Sequence, residues 1–360
     1  MTPDTGEVRD VTAEVSDGVE RPVKVSSRRK ALSIVSGLLV SALFLWLALR
    51  EVDLAVLRDN LSRAAWWPLA PFALALMVYF ALKAMRWRLL LRDEHGVSTA
   101  RLVNPMMMGF AANNVFPLRA GELIRAYTAG RSLGIPMSEV IASLFIERAL
   151  DALSVAALVS IAVVLWQLGH GSDAQVTGLL WAAMLLMILA AGGLLLVGFY
   201  GNALPRLAKL LPLRWQARVS TLLTQFANGL EPLARSTRRR ALGVLSTSLF
   251  QWFLIGVCTL LSMLAVGVDQ GPWIDQLATA IIVLGVVVVG TSAPSGPAYV
   301  GAIEYAFVLG LGFFDVPPTD ALAAGIYYHC VFFIVVTSSG AVCWLRHAQA
   351  SSAASVSSRK

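Results

Sequence analysis

Asn113-Asn114-Val115-Phe116-Pro117-Leu118-Arg119-Ala120-Gly121-Glu122-Leu123-Ile124-Arg125 is a polar, proline-broken, ion-bearing stretch in a chain otherwise built of long apolar runs. A charged side chain at mid-membrane costs on the order of 2.5–3.5 kcal/mol on insertion scales, so such groups persist where they line a cavity or pathway. At membrane depth only helix, or irregular backbone lining a cavity, satisfies its own peptide groups. The stretch is therefore read as a break between two helices, and as the first candidate for a functional site.

The rest of the chain fits that setting. It has 360 residues, 57% hydrophobic and 14% charged, with a mean hydropathy of +0.69. This predicts an all-α polytopic membrane protein. Cys258, Cys330 and Cys343 lie within apolar runs without CxxC or His/Cys ligand spacing, which argues against a disulfide framework or a metal site. Most basic residues of the +7 net charge flank apolar spans, where they read as topology signals and not as a nucleic-acid surface.

Six segments are long enough to cross a hydrocarbon core of ~30 Å, which takes about 20 helical residues: 31–49, 66–85, 150–169, 175–199, 241–266 and 320–345. Trp66, Trp67, Trp87, Trp166 and Trp344 near their ends suggest an interfacial belt. Residues 1–30 are expected to form a disordered cytoplasmic tail ending in Arg28-Arg29-Lys30, and 347–360 a second cytoplasmic tail. The 200–240 connection holds eight basic residues and only Glu231 as an acid, and an amphipathic stretch from Gln216 to Leu233 suited to lie on anionic headgroups; 86–101 adds Arg86, Arg88, Arg92 and Arg101. Both face the cytoplasm. The connections at 170–174, 267–275 and 314–320 lack Lys and Arg and face outward.

Parity then requires residues 100–135 to return to the cytoplasm and 276–313 to return outside. Each is broken: the first at Pro117 and Gly121, the second at Thr291-Ser292-Ala293-Pro294-Ser295-Gly296-Pro297, followed by Gly301 and Glu304. Two re-entrant hairpins entering from opposite leaflets are predicted, giving an inverted-topology repeat with halves at about 31–169 and 175–345. Paired broken segments in corresponding positions point to a transporter's binding site.

The candidate substrate-binding residues are Asn113, Asn114, Arg119, Glu122, Arg125 and Glu304, with Gly121, Glu147, Arg148, Asp151, Pro294, Gly296, Gly301 and His329 in supporting or coupling roles. Plainer readings stand beside these. Glu122 and Arg125, three apart, can pair on one helix face, and Gly121 can simply permit a turn. Asn113 and Asn114 can satisfy orphan carbonyls at a helix end. Glu147, Arg148 and Asp151 read first as a structural ion cluster at the cytoplasmic entry of the third span, and His329 as a hydrogen-bonded packing residue.

The run from Asn113 through Gly121-Glu122 and Arg125 to Glu147-Arg148-x-x-Asp151, with the later Pro294–Gly301 and Glu304 stretch, resembles the lysylphosphatidylglycerol synthase transmembrane family, a flippase-like group, over about residues 30–346. The resemblance implies a membrane domain that moves a lipid with a phosphate-bearing headgroup between leaflets; the excess of Arg over Lys, 24 to 5, points to a bacterial plasma membrane. No cofactor is expected. The aminoacyltransferase domain of the two-domain members is expected to be missing here.

The expected partner is an anionic membrane lipid, and beyond it cell-envelope biosynthesis enzymes. No GxxxxGK[ST] motif suggests ATP hydrolysis. A membrane-embedded transferase acting on a lipid-linked substrate, with Glu147, Asp151 or His329 as base, is the alternative reading. A non-transporting scaffold is a third.

Overall fold

The computed structural model describes residues 27–116, 120–200, 237–292 and 296–357, with scattered positions between 216 and 227. Every regular element among the described residues is helical. In chain order they are α1 (Ser27–Leu49), α2 (Leu54–Ser62), α3 (Leu69–Leu90), α4 (Thr99–Val115), α5 (Ala120–Leu133), α6 (Met137–His170), α7 (Ala174–Tyr200), α8 (Arg238–Ala265), α9 (Trp273–Gly290), α10 (Ala302–Gly312) and α11 (Pro318–Ser357). Prolines set several of the starts. Pro68, Pro136 and Pro272 immediately precede α3, α6 and α9, and Pro318 opens α11, positions where a missing N–H costs nothing.

Among the described residues six helices are long and apolar enough to cross a membrane: α3, α6, α7 over Ala174–Gly193, α8, α9, and α11 over Pro318–Gln349. The chain is a multi-pass membrane protein. The six differ from the expected set. Trp273–Gly290, read as one leg of a hairpin, reaches spanning length, and the first expected span falls within α1. The third span also begins earlier than expected, at Met137 and not at 150, because Glu147, Arg148 and Asp151 find partners that let the helix run through them.

Around the centre, α3 packs along α8, α4 lies against α11, and α9 lies against α6. Short polar links tie the ends. Ala65 N–H donates to Ala265 O at 2.7 Å, and Asn60 Nδ2 donates to Asp320 Oδ1 at 2.6 Å. At the opposite end, Arg240 donates to Leu89 O and Leu91 O at 2.7 and 2.6 Å, capping α3, and pairs with Asp93 at 2.9 Å. Slight burial disfavours the Asp93 carboxylate, yet the Arg240 and Arg88 guanidiniums hold it below the usual carboxylate range. By contrast α7 buries only 11% of its apolar window and contacts α6 alone among its well-packed neighbours. Its outward residues, such as Trp181 and Ile188, face the hydrocarbon.

Two helix–break–helix hairpins complete the fold: α4 with α5, and α9 with α10. Gly121 lets α5 approach α4, because a Cβ there collides with the Gly109 carbonyl and reaches 2.5 Å from Asn113 Oδ1. In the second hairpin a short turn at Pro297–Tyr299 leads into α10 through residues at positive φ: Ala298 at 56°, Tyr299 at 62° and Gly301 at 84°. The first two are non-glycine residues held in the left-handed region, a conformation that costs about 1–3 kcal/mol and persists where the surroundings impose it. α1 packs against the residues on either side of this pair: Ser41 Oγ accepts Gly296 N–H at 2.8 Å, and a Cβ on Gly301 would come within 2.5 Å of Ser41 O.

Candidate functional site

Helical spacing builds the site. Tyr79, Lys83, Arg86 and Trp87 recur on one face of α3; Glu147 and Asp151 are one turn apart on α6; Ser248, Gln251 and Trp252 share a face of α8. Where these faces meet, Lys83 Nζ lies 3.0 Å from Glu147 and 3.3 Å from Asp151. Arg86 Nη2 contacts Asp151 Oδ1 at 2.7 Å while its Nη1 donates to Ser248 Oγ at 3.0 Å. Gln251 Nε2 and Trp252 Nε1 donate to the same Asp151 oxygen at 3.1 and 2.9 Å. Arg125 of α5 closes the set, forking onto both Glu147 oxygens at 3.2 and 2.9 Å with its guanidinium 3.8 Å from the centre of the Trp87 ring.

Lys83, Arg86, Arg125, Glu147 and Asp151 are all buried. Desolvating each ion costs several kcal/mol, which only close pairing with further hydrogen bonds offsets. Removing one partner therefore strands another charge. This network fixes α3, α5, α6 and α8 to one another.

Arg148 differs. Its side chain is 43% exposed and joins Glu122 Oε1 at 3.0 Å and Asp151 Oδ2 at 3.6 Å. It looks into a cavity of about 510 Å³ shared by both hairpins. Asn113, Asn114 and Glu122 line it from the α4–α5 side, and Thr291, Ser292 and Tyr299 from the α9–α10 side. Asn113 Oδ1 accepts Gly121 N–H at 2.8 Å, so it fixes the break, while Asn114 Nδ2 donates to Thr337 Oγ1 of α11 at 3.0 Å. Tyr79 and Tyr328 close the cavity, each ten residues from the start of its helix, or about 15 Å at 1.5 Å per residue, half the ~30 Å hydrocarbon thickness. Val289, 64% exposed, forms an apolar rim.

At the second break Glu304 Oε2 accepts Gly301 N–H at 2.7 Å and its Oε1 sits 2.6 Å from His329 Nδ1. Among the described residues no group of His, Cys, Asp and Glu has metal-site geometry.

Residues 34–340 match the model of the lysylphosphatidylglycerol synthase TM region. The chain belongs to that family. It is also 28% identical over 329 residues to the glycosyltransferase AglD of Haloferax volcanii, a match covering 84% of this chain and 52% of that protein, so the chain spans about half the length of this relative. No solved structure matches it.

Within this lysylphosphatidylglycerol synthase TM domain, the residues singled out in the sequence fall into three groups. Asn113, Asn114, Glu122, Arg148 and Asp151 come together on the cavity wall. Arg125 and Glu147 pair with each other behind it, so Arg125 presents no free guanidinium to a ligand, and Glu122 pairs with Arg148 and not with Arg125. Gly296, Gly301, Glu304 and His329 gather at the second break. Arg119 and Pro294 lie outside the described residues, as does most of the Gln216–Leu233 stretch.

Sequence reasoning missed Lys83, Arg86, Ser248, Gln251 and Trp252. Arg86 was counted with the topology charges and Trp87 with the interfacial belt, yet α3 continues to Leu90 and buries both completely. A lysine inside an apolar run was the available signal, since an intramembrane ion implies a nearby counter-ion.

Proposed function

We propose that this protein moves a lipid with a phosphate-bearing headgroup between the leaflets of a bacterial plasma membrane, with both termini cytoplasmic. The observation that carries the reading is the cavity: a polar floor of Arg148, Asn113 and Asn114, with an exposed apolar rim at Val289. A headgroup enters such a space while its chains remain in hydrocarbon, and a soluble substrate needs no such rim. Arg148 is the receiving cation. An arriving phosphate displaces Glu122 from it and takes a bidentate contact, for which a planar guanidinium is suited. Arg119 is a second phosphate contact in this reading.

The two hairpins are read as re-entrant, entering from opposite leaflets, within an inverted repeat. The pairing of helices supports this. Exchanging α3, α4, α5 and α6 for α8, α9, α10 and α11 maps the contact of α4 with α11 onto that of α9 with α6, α3 with α4 onto α8 with α9, and α5 with α6 onto α10 with α11, and leaves α3 on α8 unchanged. Alternating access is then a rocking of one half on the other about the α3–α8 seam.

The test is reconstitution into vesicles carrying a headgroup-labelled anionic phospholipid. Wild type speeds exchange between leaflets over empty vesicles, and Arg148→Ala loses most of that gain. The similarity to the glycosyltransferase AglD of Haloferax volcanii favours a second reading, a transferase on a lipid-linked substrate. A change in lipid mass after incubation with the pure protein selects it over transport.

A further inference from the structure

We infer that Glu304 and His329 form a proton-coupling site, in which one proton is taken up and released per transport cycle. The inference rests on the transport reading above. The pair lies inside the membrane-spanning bundle, with side-chain exposures of 9% and 11% and a 2.6 Å contact between Oε1 and Nδ1. Intramembrane carboxylate and imidazole groups are expensive and mark proton pathways, and imidazole exchanges protons near neutral pH.

Among the described residues, no printed ion pair places a cation on either member of the pair. The described residues that face it from α1 are Ser41 and Leu45, which contact Gly301, while Phe44 stacks on the neighbouring Tyr305 phenol. From α9 the neighbour is Gly290, against Ala306. On α11 the titratable residues flanking His329 are Tyr328 and Cys330. The ions on or next to these helices, Arg28, Arg29, Lys30, Arg50 and Glu51 for α1, Asp275 for α9 and Asp320 and Arg346 for α11, with His347, all lie more than two helical turns along the chain from Ser41, Gly290 and His329. With one proton shared between Oε1 and Nδ1 the pair is neutral. Loss of that proton to water leaves a carboxylate beside a neutral imidazole, a net charge of −1 met only by neutral donors, Gly301 N–H and the imidazole N–H. Such a state is disfavoured while the pair is enclosed. Proton exchange therefore requires α10 to move relative to α11.

That movement reaches the cavity. Ile303 and Tyr328, one residue before each member of the pair, line the cavity wall together with Tyr299. The same break holds Ala298 and Tyr299 at positive φ, so strain is stored where the α10 N-terminus is fastened by the Glu304 carboxylate.

The experiment uses the full chain in vesicles with an entrapped fluorescent pH dye, clamped membrane potential and labelled phosphatidylglycerol. For one proton per lipid, a one-unit pH gradient shifts the steady-state leaflet ratio of the label by up to about tenfold, with a matching dye signal. Glu304→Gln and His329→Gln still move lipid, but their leaflet ratio stays near one and the dye signal disappears. In parallel, detergent-purified protein in weak buffer is mixed with phosphatidylglycerol micelles, and the proton released or taken up is titrated. Wild type that moves lipid with no response to the gradient overturns the coupling and leaves transport standing. Wild type that moves no lipid, yet exchanges a proton that both variants abolish, overturns transport and keeps the site. No exchange in either assay overturns the site, as does a gradient response retained in either variant.

Discussion

The two hairpins share an order, helix then break then helix, and differ in what holds them. At the α4–α5 hairpin, ions do the holding: Arg125 forks to Glu147, Glu122 reaches Arg148, and Glu147 and Asp151 of α6 are shared with Lys83 and Arg86 of α3. At the α9–α10 hairpin, the fastening is a backbone affair, with Gly296 N–H on Ser41, Gly301 N–H on Glu304, and one imidazole contact. A network of stranded-if-broken charges makes a rigid floor, whereas a few hydrogen bonds over strained backbone make a part that can move at small cost. In the transport reading the first hairpin receives the headgroup and the second responds.

The largest expected effect breaks that contrast directly. Glu147→Gln leaves Lys83 and Arg125 without their shared counter-ion in a dry site, and should cost about 3–5 kcal/mol of stability, seen as a steep loss of folded protein in detergent melting. Glu304→Gln keeps an acceptor for Gly301 N–H and should cost about 1–2 kcal/mol. If the two melt alike, the hairpins are not held differently.

Next in size is Gly121→Val, which drives a branched side chain into the Gly109 carbonyl and should lower stability by about 1–3 kcal/mol as overpacking does, while Gly134→Ala, with open space around it, pays only for its positive φ. Arg148→Ala comes after these for stability. Its side chain is 43% exposed, so melting should shift by no more than about 1 kcal/mol, yet lipid exchange should fall several-fold. The smallest effect is Asp93→Asn. Its depressed folded-state pKa means that the stabilisation is present above the ordinary carboxylate pKa, about 3.9, and is lost as the pH falls through the lower folded value. Wild type and variant should therefore differ slightly at pH 7 and converge below about pH 4, measured by melting across that range.

Much of this contrast was legible from the residues. Pro117, Gly121 and the 291–297 run marked the two places where helices stop, because proline lacks an N–H and glycine tolerates close approach. The Glu147/Asp151 spacing placed two carboxylates on one helix face. What the chain alone withheld was which cations meet them. Arg86, Arg88 and Arg92 look alike as a basic cluster at a span's end, yet α3 runs to Leu90 and turns Arg86 into the bundle, while Arg88 stays exposed enough to reach Asp93. Likewise Gln251 and Ser248 carry no charge to flag them, and their role follows only from α8 packing along α3. The Glu304–His329 contact joins residues 25 apart across a loop, a separation that no periodicity encodes.

The most direct test of the cavity as the lipid's path is to bridge it. In a chain with Cys258, Cys330 and Cys343 replaced, Asn113→Cys and Ser292→Cys place one thiol on each hairpin at the cavity wall, and a reducible bifunctional thiosulfonate joins them. Lipid exchange in vesicles should stop on cross-linking and return on reduction. A fully cross-linked protein that exchanges lipid at the uncross-linked rate would contradict the account.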